Sequence, residues 1–445
     1  MKSSPGNLPP RISGPVPGRQ SLALSRRLVE VESRNVTFRS NNFPIFWRKS
    51  RGSNVWDPDG NRYVDLTAGF GVAAAGHGNR RVAAAIRTQL TRQMHGLGDV
   101  HPPVAKLRLL EALAKRSPVP DPRIILTNSG SEAIEAGLKT ARLATGKPGV
   151  LCFTGAYHGL TYGALALTDR AHFRVPFQDQ LNPHVVRLPF PAGSAADGLA
   201  AVEAALDCDQ GLWVGAVVIE PIQGRGGIVQ PPIGFLPGLA EVCRRRGILL
   251  ILDEIYTGLG RTGTWFASQH EGVVPDLICL GKALSGSLPI AACLGAPDVM
   301  SAWPESTGEA IHTSTFLGNP LACAAATASL HEIGRRQLPE RAAVLGAQWR
   351  EELSGLADKH PAVREIRGRG LMLGMELVHP DTGAPATQLA GSLIVQALSR
   401  GWILLADGPS SNVIALTPPL TISRELLERA TGLLDDLLSS PGHVG

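Results

Sequence analysis

Residues 247–295 constrain the possible folds of this chain more than any other stretch. Short apolar runs at 248–252 and 277–280 have the character of fully buried strands in a parallel sheet. The first run is followed directly by Asp253, and the second leads to Lys282. Parallel sheets bind their ligands just beyond the carboxyl ends of the strands. The pattern therefore predicts a charged cofactor held between these two side chains.

A repeating order of strand, loop and helix begins at residue 123. Strand-like segments such as RIILT, GVLCF and VGAVVIE each lead into a loop or a helix-like segment. This alternation predicts an α/β fold, in which a large domain has a mostly parallel, doubly wound sheet with helices on both faces. After residue 335 the pattern becomes that of a smaller α+β domain.

The predicted domain boundaries follow from these patterns. Residues 1–20 are rich in proline, glycine and serine, which predicts a disordered tail. Residues 21–75 contain a predicted hairpin and are expected to join the small domain. Residues 76–335 form the predicted large cofactor-binding domain, and residues 336–445 form the small C-terminal domain. Further predicted elements are the hairpin at 55–66, helices at 80–94, 341–358, 387–400 and 424–438, and strands around 370–378 and 402–405.

Composition and charge exclude several classes of protein. The chain has 445 residues, 44% hydrophobic and 18% charged, as in an ordinary globular protein. Its 43 basic and 38 acidic residues leave a net charge of +5 without a long run of Lys or Arg, so no nucleic-acid partner is expected. The first 20 residues lack the apolar core of a secretory signal, and no apolar run is long enough to span a membrane. A cytoplasmic protein is predicted.

The cysteines and histidines give no indication of a metal site. The 6 cysteines never approach a C-x-x-C spacing, and most lie in apolar surroundings, which favours buried, reduced thiols. The 12 histidines are scattered and show no H-E-x-x-H pattern. We therefore expect no bound metal.

The segment 128–132, with the sequence NSGSE, joins a predicted strand to a predicted helix. Free N–H groups at a helix start, with Gly130 permitting close approach, form a seat for a phosphate group. The same segment fits an ordinary capping box made by Ser129 and Glu132. Because the segment is expected at the same sheet edge as the two charged strand ends, we favour the phosphate-binding interpretation.

Two further motifs bear on the ligand. Residues 258–263 match the dinucleotide-binding pattern G-x-G-x-x-G after a strand, but the residues that follow lack an apolar helical stripe. The pattern also lies in the middle of the chain, so nicotinamide or flavin binding is not favoured. Tyr157, just after the strand-like GVLCF segment, is either a core aromatic or a ring that stacks on a planar ligand.

Together these segments resemble the class III (ω-type) pyridoxal-phosphate-dependent aminotransferases of fold type I. The resemblance covers nearly the whole chain, from DLTAGFGVAAAGHGN to TPPLTI. It implies that Gly130 and Ser131 hold the cofactor phosphate, that Tyr157 and Ile255 enclose the pyridine ring, that Asp253 pairs with the ring nitrogen, and that Lys282 forms the internal aldimine. Thr315 is implied to reach the phosphate of a neighbouring subunit, so a homodimer or higher homo-oligomer is expected.

The chemistry of the family explains these residue types. Removing a proton from the substrate carbon leaves an electron pair, which the ring absorbs only while its nitrogen is protonated. A buried Asp253 carboxylate would keep the nitrogen protonated. Lys282, displaced by the incoming amine, would become the base that carries the proton. This role needs an amine that can be neutral, which a dry pocket favours.

The sequence departs from the family where substrates are usually selected. Arg225 replaces the acidic residue of Q-G-E-G-G, while Leu160 and Ala415 stand where many members have arginine. We predict that Arg225 has taken over recognition of a substrate carboxylate; the alternative is drift on a solvent-facing loop. Tyr256 stands where many members have glutamine, and its hydroxyl could serve the phenolic oxygen of the cofactor.

The predicted function is transamination between an amine donor, either an amino acid or an ω-amine, and a 2-oxo acid, through pyridoxamine phosphate. A racemase, epimerase or aminomutase on the same scaffold is the first alternative, because the same site can return a proton to another face or carbon. A catalytically silent, cofactor-dependent binding protein is the second, and the intact Lys282 and Asp253 argue against it.

Overall fold

The computed structural model describes residues 6–439, which form three sheets and the helices that cover them. The strands are β1 (Lys49–Arg51), β2 (Asn54–Trp56), β3 (Arg62–Asp65), β4 (Arg123–Thr127), β5 (Gly149–Phe153), β6 (Val185–Leu188), β7 (Val214–Ile219), β8 (Leu249–Asp253), β9 (Leu277–Leu280), β10 (Ala291–Gly295), β11 (Val363–Arg369), β12 (Met372–Leu377), β13 (Trp402–Ile403), β14 (Leu405–Asp407) and β15 (Val413–Leu416). The α-helices are α1 (Arg19–Val31), α2 (Arg80–Leu90), α3 (Val104–Ala114), α4 (Gly130–Thr145), α5 (Tyr162–Leu167), α6 (Ala171–Arg174), α7 (Ala195–Asp207), α8 (Phe235–Arg246), α9 (Pro297–Met300), α10 (Pro320–Arg335), α11 (Leu338–Lys359), α12 (Thr387–Ser399) and α13 (Arg424–Leu438).

The large sheet has seven strands in the order β4-β10-β9-β8-β7-β5-β6. Strand β10 runs antiparallel to both of its neighbours, and the pairings among β9, β8, β7, β5 and β6 are parallel. The runs around β8 and β9 are buried strands, as their apolar sequences indicate. The predicted α/β fold with a mostly parallel sheet is confirmed.

Helices cover both faces of this sheet because its central strands are almost entirely apolar. In β5, Val150 and Cys152 point to the face packed by α4 and α5, whereas Leu151 and Phe153 point to the face packed by α7 and α8. Successive side chains of a strand alternate between faces, so a strand buried on both sides must be apolar throughout.

Two smaller sheets bring the two ends of the chain together. The predicted hairpin is present as β2 and β3, and β13 from the C-terminal part pairs parallel to β3. The other sheet has the order β11-β12-β15-β14 and packs against α11, α12 and α13. The last helix, Arg424–Leu438, has the predicted bounds because its leucines face one core. The predicted domain boundaries stay a prediction.

The predicted disordered tail is wrong for residues 6–20; residues 1–5 lie outside the described part of the chain. The backbone N–H of Leu8 donates to Asn54 Oδ1 at 2.8 Å, and Arg11 exchanges two 2.8 Å backbone hydrogen bonds with Arg62. A proline-rich composition argues against a packed core, but it leaves an extended backbone able to pair with a strand edge. That pairing orders the segment together with Ile12 and Val16, which pack against the small core cluster around Tyr63.

The state of the cysteines and the character of the helices can be compared with the expectations from composition. All 6 cysteines are free, and all except Cys208 are buried. Between residues 6 and 439, no helix combines the length and the apolar character needed to cross a membrane.

The glycine-rich segment 258–263 connects the large sheet to the C-terminal part of the chain rather than forming a dinucleotide site. A one-turn 3-10 helix, Ala267–Glu271, is the next helical element. Arg261 is almost fully buried, and its Nη1 donates to the carbonyl oxygens of Leu371 at 2.8 Å and Pro418 at 2.6 Å. The segment therefore serves packing between elements distant in sequence.

Gly346 in α11 is the basis of a prediction about stability. A Cβ at this position would lie 1.9 Å from the carbonyl oxygen of Gly370, so helix and turn approach more closely than a side chain permits. We expect Gly346→Ala to lower the free energy of unfolding by about 2–4 kcal/mol, as overpacking against backbone does. Gly355→Ala is the matched control in the same helix, because nothing lies within 4 Å of its added Cβ.

Thermal and urea unfolding of the two variants would test this difference. The control should be neutral or more stable by about 0.5–1 kcal/mol, since alanine favours helices. Equal stability of the two alanine variants would contradict the close approach.

Candidate active site

The carboxyl ends of β7 and β8, the start of α4 and Lys282, two residues after β9, surround a cavity of about 320 Å³. Of the residues singled out from the sequence, the cavity is lined by Gly130, Ser131, Tyr157, Leu160, Arg225, Asp253, Ile255, Tyr256 and Lys282. Residues separated by up to 152 positions (282 − 130) therefore meet where a parallel sheet places its ligands.

Asp253 is the best-anchored charge in the cavity. It is 4% exposed, and its Oδ1 accepts a hydrogen bond from the backbone N–H of Ile255 at 3.0 Å. Its Oδ2 lies 2.7 Å from Nδ1 of His158, which is also buried. Burial alone would lower the pKa of His158, but the hydrogen bond and charge of Asp253, helped by Glu220, raise that pKa above its ordinary value. The raised pKa favours the protonated imidazole, which donates from Nδ1 to Oδ2 of Asp253.

Glu220 is a second buried carboxylate, placed directly after β7. It accepts backbone hydrogen bonds from Tyr157 at 3.3 Å and Gly224 at 3.1 Å. Burial raises its pKa to about 7, opposed by the charges of His158 and Lys282. Its nearest ligand atom lies within 4.8 Å of those of His158 and Asp253, a grouping that could contact a metal. Within this group, the hydrogen bond between His158 Nδ1 and Asp253 Oδ2 already uses two of the candidate ligand atoms.

Lys282 opens the short 3-10 helix Lys282–Leu284 after β9. Its backbone φ of 40° lies in the left-handed region that residues with side chains rarely adopt, so the turn is strained to aim this side chain. Nζ lies 3.7 Å from the centre of the Tyr256 ring. Although part of the residue surface is open, desolvation of the amine lowers its pKa to about 8, against the opposing charges of Asp253, Glu220 and Asp407.

Both interpretations of the NSGSE segment find support at the start of α4. Ser129 Oγ accepts a hydrogen bond from the backbone N–H of Glu132 at 3.2 Å, and the Glu132 carboxylate accepts from Asn128 N at 2.9 Å. The helix is therefore capped by its own side chains. Gly130 and Ser131 nevertheless line the cavity, and a Cβ on Gly130 would lie 2.9 Å from Cδ1 of Ile255. The glycine leaves the helix start open to a ligand.

The two tyrosines occupy different parts of the cavity wall. Tyr157 contacts Phe173 edge to face at 5.9 Å between ring centres, and one side of its ring approaches Arg225. The hydroxyl of Tyr256 lies 3.0 Å from Thr417 Oγ1, so this hydroxyl already has a partner. The expected contact of Tyr256 with the phenolic oxygen of a cofactor stays a prediction.

Arg225 lies at the cavity wall with an acidic partner that the sequence reasoning did not identify. Its Nε is 2.8 Å from Oδ1 of Asp407, which is 6% exposed, and its Cζ is 5.5 Å from the centre of the Tyr157 ring. Burial raises the pKa of Asp407 to about 6, against the charges of Arg225 and Arg170. Arg225 therefore belongs to the cavity rather than to a solvated loop.

Thr315 is not among the residues that line the cavity of its own chain. It is exposed in the segment between α9 and α10. The neighbouring Ser314 accepts a hydrogen bond from Asn128 Nδ2 at 3.0 Å, which places this segment near the start of α4. Its expected contact with a neighbouring subunit stays a prediction.

Sequence reasoning missed four residues of this site. They differ in whether the sequence contained a signal that could have identified them. Glu220 follows a buried strand, as Asp253 does, so the same strand-end rule could have identified it. His158 directly follows Tyr157 and had only its position as a signal. Asp407 and Arg170 had none, because Asp407 comes from the small sheet and Arg170 from the loop before α6. Tertiary packing alone joins them to the cavity.

Comparisons with known proteins agree with this arrangement. The family model described as aminotransferase class III matches residues 36–438. A 4-aminobutyrate aminotransferase of Mycobacterium leprae (strain TN) is 36% identical over 443 residues, covering 95% of this chain and 96% of that protein.

Solved structures show the same similarity. An ornithine aminotransferase from Toxoplasma gondii, whose structure reveals partial occupancy of PLP at the active site, has a TM-score of 0.82 and 31% identity, with 93% of each chain covered. A thermostable omega transaminase 4-fold mutant from Pseudomonas jessenii has a TM-score of 0.86 and 30% identity, covering 93% of this chain and 98% of that one.

The pairing of His158 with Asp253 generates a pH prediction. Because the folded pKa of His158 is raised above 6.5, its stabilising effect is complete below that pH and is lost as the pH rises through the folded pKa. We expect His158→Gln to reduce the free energy of unfolding by about 1–3 kcal/mol at low pH and by less at high pH. Unfolding of both proteins across the pH range measures the difference.

The exposed His172 provides a matched control, because His172→Gln should leave the pH dependence of unfolding unchanged. A His158→Gln effect that is constant with pH, or that grows as the pH rises, would show that no charged histidine pairs with Asp253.

Proposed function

Because this chain belongs to the class III aminotransferase family, we propose that Lys282 and Asp253 carry out its chemistry and that the start of α4 holds the cofactor phosphate. The protein is a pyridoxal-phosphate-dependent transaminase that uses an amine donor and a 2-oxo acid acceptor. When bound, the cofactor supplies an aldehyde that joins covalently to amines and a ring that absorbs the electron pair of the substrate carbon.

The residues around the cavity fit this cofactor. An amine and a carboxylate face one desolvated space, and Gly130 leaves the N-terminal N–H groups of α4 accessible to a phosphate. Tyr157 and Ile255 line the same space and would enclose a planar ring between them. The observation that carries the proposal is the placement of Lys282 and Asp253 around this one cavity.

Lys282 is proposed as the base, with Nζ as the atom that accepts the proton from the substrate carbon. Desolvation lowers its pKa to about 8, so a useful fraction of the amine is neutral near that pH and can accept a proton. The Tyr256 ring beneath Nζ restricts where the amine can move. Asp253, hydrogen-bonded to His158, would keep the ring nitrogen of the cofactor protonated.

We expect borohydride reduction of the holoenzyme to attach the cofactor to the peptide that contains Lys282. Lys282→Ala should lower kcat by about 100-fold to 10,000-fold, the usual contribution of a positioned proton-transfer group. Mass spectrometry of the digested protein, together with steady-state kinetics, measures both. Lys139→Ala, at an exposed lysine outside this cavity, is the control.

Labelling of a lysine other than Lys282 would contradict the assignment. The products formed by the purified enzyme distinguish transamination from racemisation. Amine-dependent release of an oxo compound requires amino transfer, whereas a racemase returns the amine with inverted configuration. Absorbance changes on adding a panel of amines and oxo acids would identify the substrates.

Arg225 is proposed to bind the carboxylate of the acidic substrate. Its guanidinium has the planar fork that suits a carboxylate, and it lies at the cavity wall beside Tyr157. Leu160 lines the cavity and Ala415 is buried in β15, so neither supplies a charge at the position where relatives often have arginine. Arg225 is then the one arginine proposed to bind a substrate carboxylate. Because 2-oxoglutarate has two carboxylates and pyruvate has one, 2-oxoglutarate should be a weak acceptor and pyruvate a better one.

We expect Arg225→Ala to raise the KM for pyruvate by one to two orders of magnitude, which corresponds to about 1.5–3 kcal/mol for a lost charged hydrogen bond. The KM for n-butylamine, which has no carboxylate, should change much less, and this substrate is the internal control. Steady-state kinetics with each substrate varied in turn supplies the measurement. Unchanged kinetics with every acceptor would return Arg225 to a role outside substrate binding.

A homodimer is proposed as the smallest active unit, with Thr315 contributing to the phosphate site of the partner. The support is the exposed position of Thr315 near the start of α4, outside the cavity of its own chain. We expect activity per subunit and cofactor retention to fall together on dilution below the dimer dissociation constant. Sedimentation velocity and activity at the same concentrations measure this, and a fully active monomer would contradict it.

A further inference from the structure

Tyr256 places the face of an aromatic ring beneath the amine that is proposed to carry out the chemistry. Nζ of Lys282 lies 3.7 Å from the centre of this ring. A cation over the face of an aromatic ring is attracted by the negative potential of that face, and the attraction is stronger where water is excluded. A neutral amine at the same position gains much less. The ring therefore distinguishes the two protonation states of Nζ.

Two glycines fix the plane of the Tyr256 ring. A Cβ on Gly71 would lie 2.5 Å from Cε2 of the ring, and a Cβ on Gly224 would lie 2.5 Å from Cδ1, at the opposite corner. Backbone thus reaches the ring at two opposite corners, where any side chain would displace it. The ring also packs against a buried cluster that includes Ile222 and Met372. It therefore has little freedom to turn its face away from the amine.

The hydroxyl group of Tyr256 anchors the far end of the side chain. It lies 3.0 Å from Oγ1 of Thr417, and that oxygen donates its own proton to the carbonyl oxygen of Thr67 at 3.3 Å. Because a threonine hydroxyl has one proton, the tyrosine is the donor in its contact with Thr417. Burial, together with the charge of Asp407, raises the pKa of Tyr256 to about 12, so the side chain is neutral at physiological pH.

Charged side chains around the cavity act on Nζ as well. Desolvation lowers the pKa of Lys282 to about 8, and the charge of Arg225 adds to this shift. The charges that oppose it are those of Asp253, Glu220 and Asp407. Between residues 6 and 439, no carboxylate is close enough to form an ion pair with Nζ, whereas the aromatic ring contacts the amine directly. These charges are common to all variants of residue 256, so a comparison of variants isolates the effect of the ring.

We infer that Tyr256 is a positioning residue for the catalytic amine: its ring face holds Nζ of Lys282 and stabilises the positive charge that forms there when the amine accepts the proton. This inference rests on the proposed role of Lys282 as the base. The C–H bond of the substrate breaks, its electron pair passes to the cofactor, and the proton forms a bond with the lone pair of Nζ. Because the positive charge appears only as the proton arrives, the interaction with the ring strengthens toward the transition state and favours the transfer.

The protonation of Lys282 in variants of Tyr256 tests this inference. In the pyridoxamine phosphate form of the holoenzyme the lysine amine is not bonded to the cofactor, and trace acetic anhydride acetylates it only while it is neutral. Mass spectrometry of the Lys282 peptide across the pH range gives the midpoint of labelling. We expect Tyr256→Leu to lower this midpoint by about 0.5–1 in pH, since the ammonium form loses its contact with the ring. Tyr256→Met is a second variant without a ring and should lower it similarly.

Tyr256→Phe is the matched control, because it keeps the ring and removes only the hydroxyl. Its labelling midpoint should equal that of the wild-type protein. Lys139, which is exposed and lies outside the cavity, is an internal control in each sample, and its midpoint should be the same in every variant. An unchanged or higher midpoint for Lys282 in Tyr256→Leu would overturn the inference. An equal shift in Tyr256→Phe would assign the effect to the hydroxyl and would overturn it as well.

The rate of proton transfer gives a second measurement. In a single half-reaction, n-butylamine converts the pyridoxal phosphate form of the enzyme to the pyridoxamine phosphate form, and n-butylamine deuterated at C1 identifies the proton-transfer step by slowing it. We expect Tyr256→Leu to slow this step by about threefold to tenfold, even though more of its Lys282 amine is neutral at a given pH. A loosened site would slow the step without lowering the labelling midpoint. A rate equal to that of the wild-type protein would contradict the inference.

The outcomes separate this inference from the proposed function. If borohydride attaches the cofactor to a lysine other than Lys282, the proposed function is wrong. If borohydride attaches it to Lys282 and the labelling midpoint does not depend on the side chain at position 256, the role of Lys282 stands and only the inference about the Tyr256 ring fails.

Discussion

Desolvation of opposite charges in one cavity is the constraint on which the rest of the site depends. A single ionised side chain buried there would be strongly unfavourable, and its pKa would shift until it became neutral. The amine of Lys282 shows this tendency, and the carboxylates of Glu220 and Asp407 show it in the opposite direction. Asp253 is held by hydrogen bonds from a histidine and from a backbone N–H. Burial therefore shifts the pKa values of Lys282, Glu220 and Asp407, and neighbouring charges limit the shifts.

The fold and the centre of the site were predictable because both follow from local sequence patterns. Apolar runs of five or so residues gave the buried strands, and the charges after them marked the sheet edge where ligands bind. Asp253 and Lys282 line one cavity for that reason. Tyr157, singled out by its position after a strand, also lines the cavity, and the resemblance to a known family added Ile255.

The outer parts of the site were not predictable because they depend on contacts distant in sequence. Asp407 reaches Arg225 across 182 positions (407 − 225), and nothing in the residues around either one indicates the other. The N-terminal segment was predicted wrongly for the same kind of reason: composition measures how much core a segment can form, but not whether a strand edge elsewhere binds its backbone. The glycine pattern at 258–263 is followed by a short 3-10 helix rather than by a long helix, in agreement with the local context seen in the sequence.

Arg261 has a mechanical consequence for how substrates enter. Its guanidinium is buried against two carbonyl oxygens of the C-terminal part of the chain, and pulling these surfaces apart would leave a charge without acceptors, at a free-energy cost of several kcal/mol. The contact between the large sheet and the small one is therefore rigid, and a hinge motion that opens it is unfavourable. Adaptation to different substrates must then come from side chains that turn on fixed backbone, and specificity can be altered one residue at a time without retuning a domain movement.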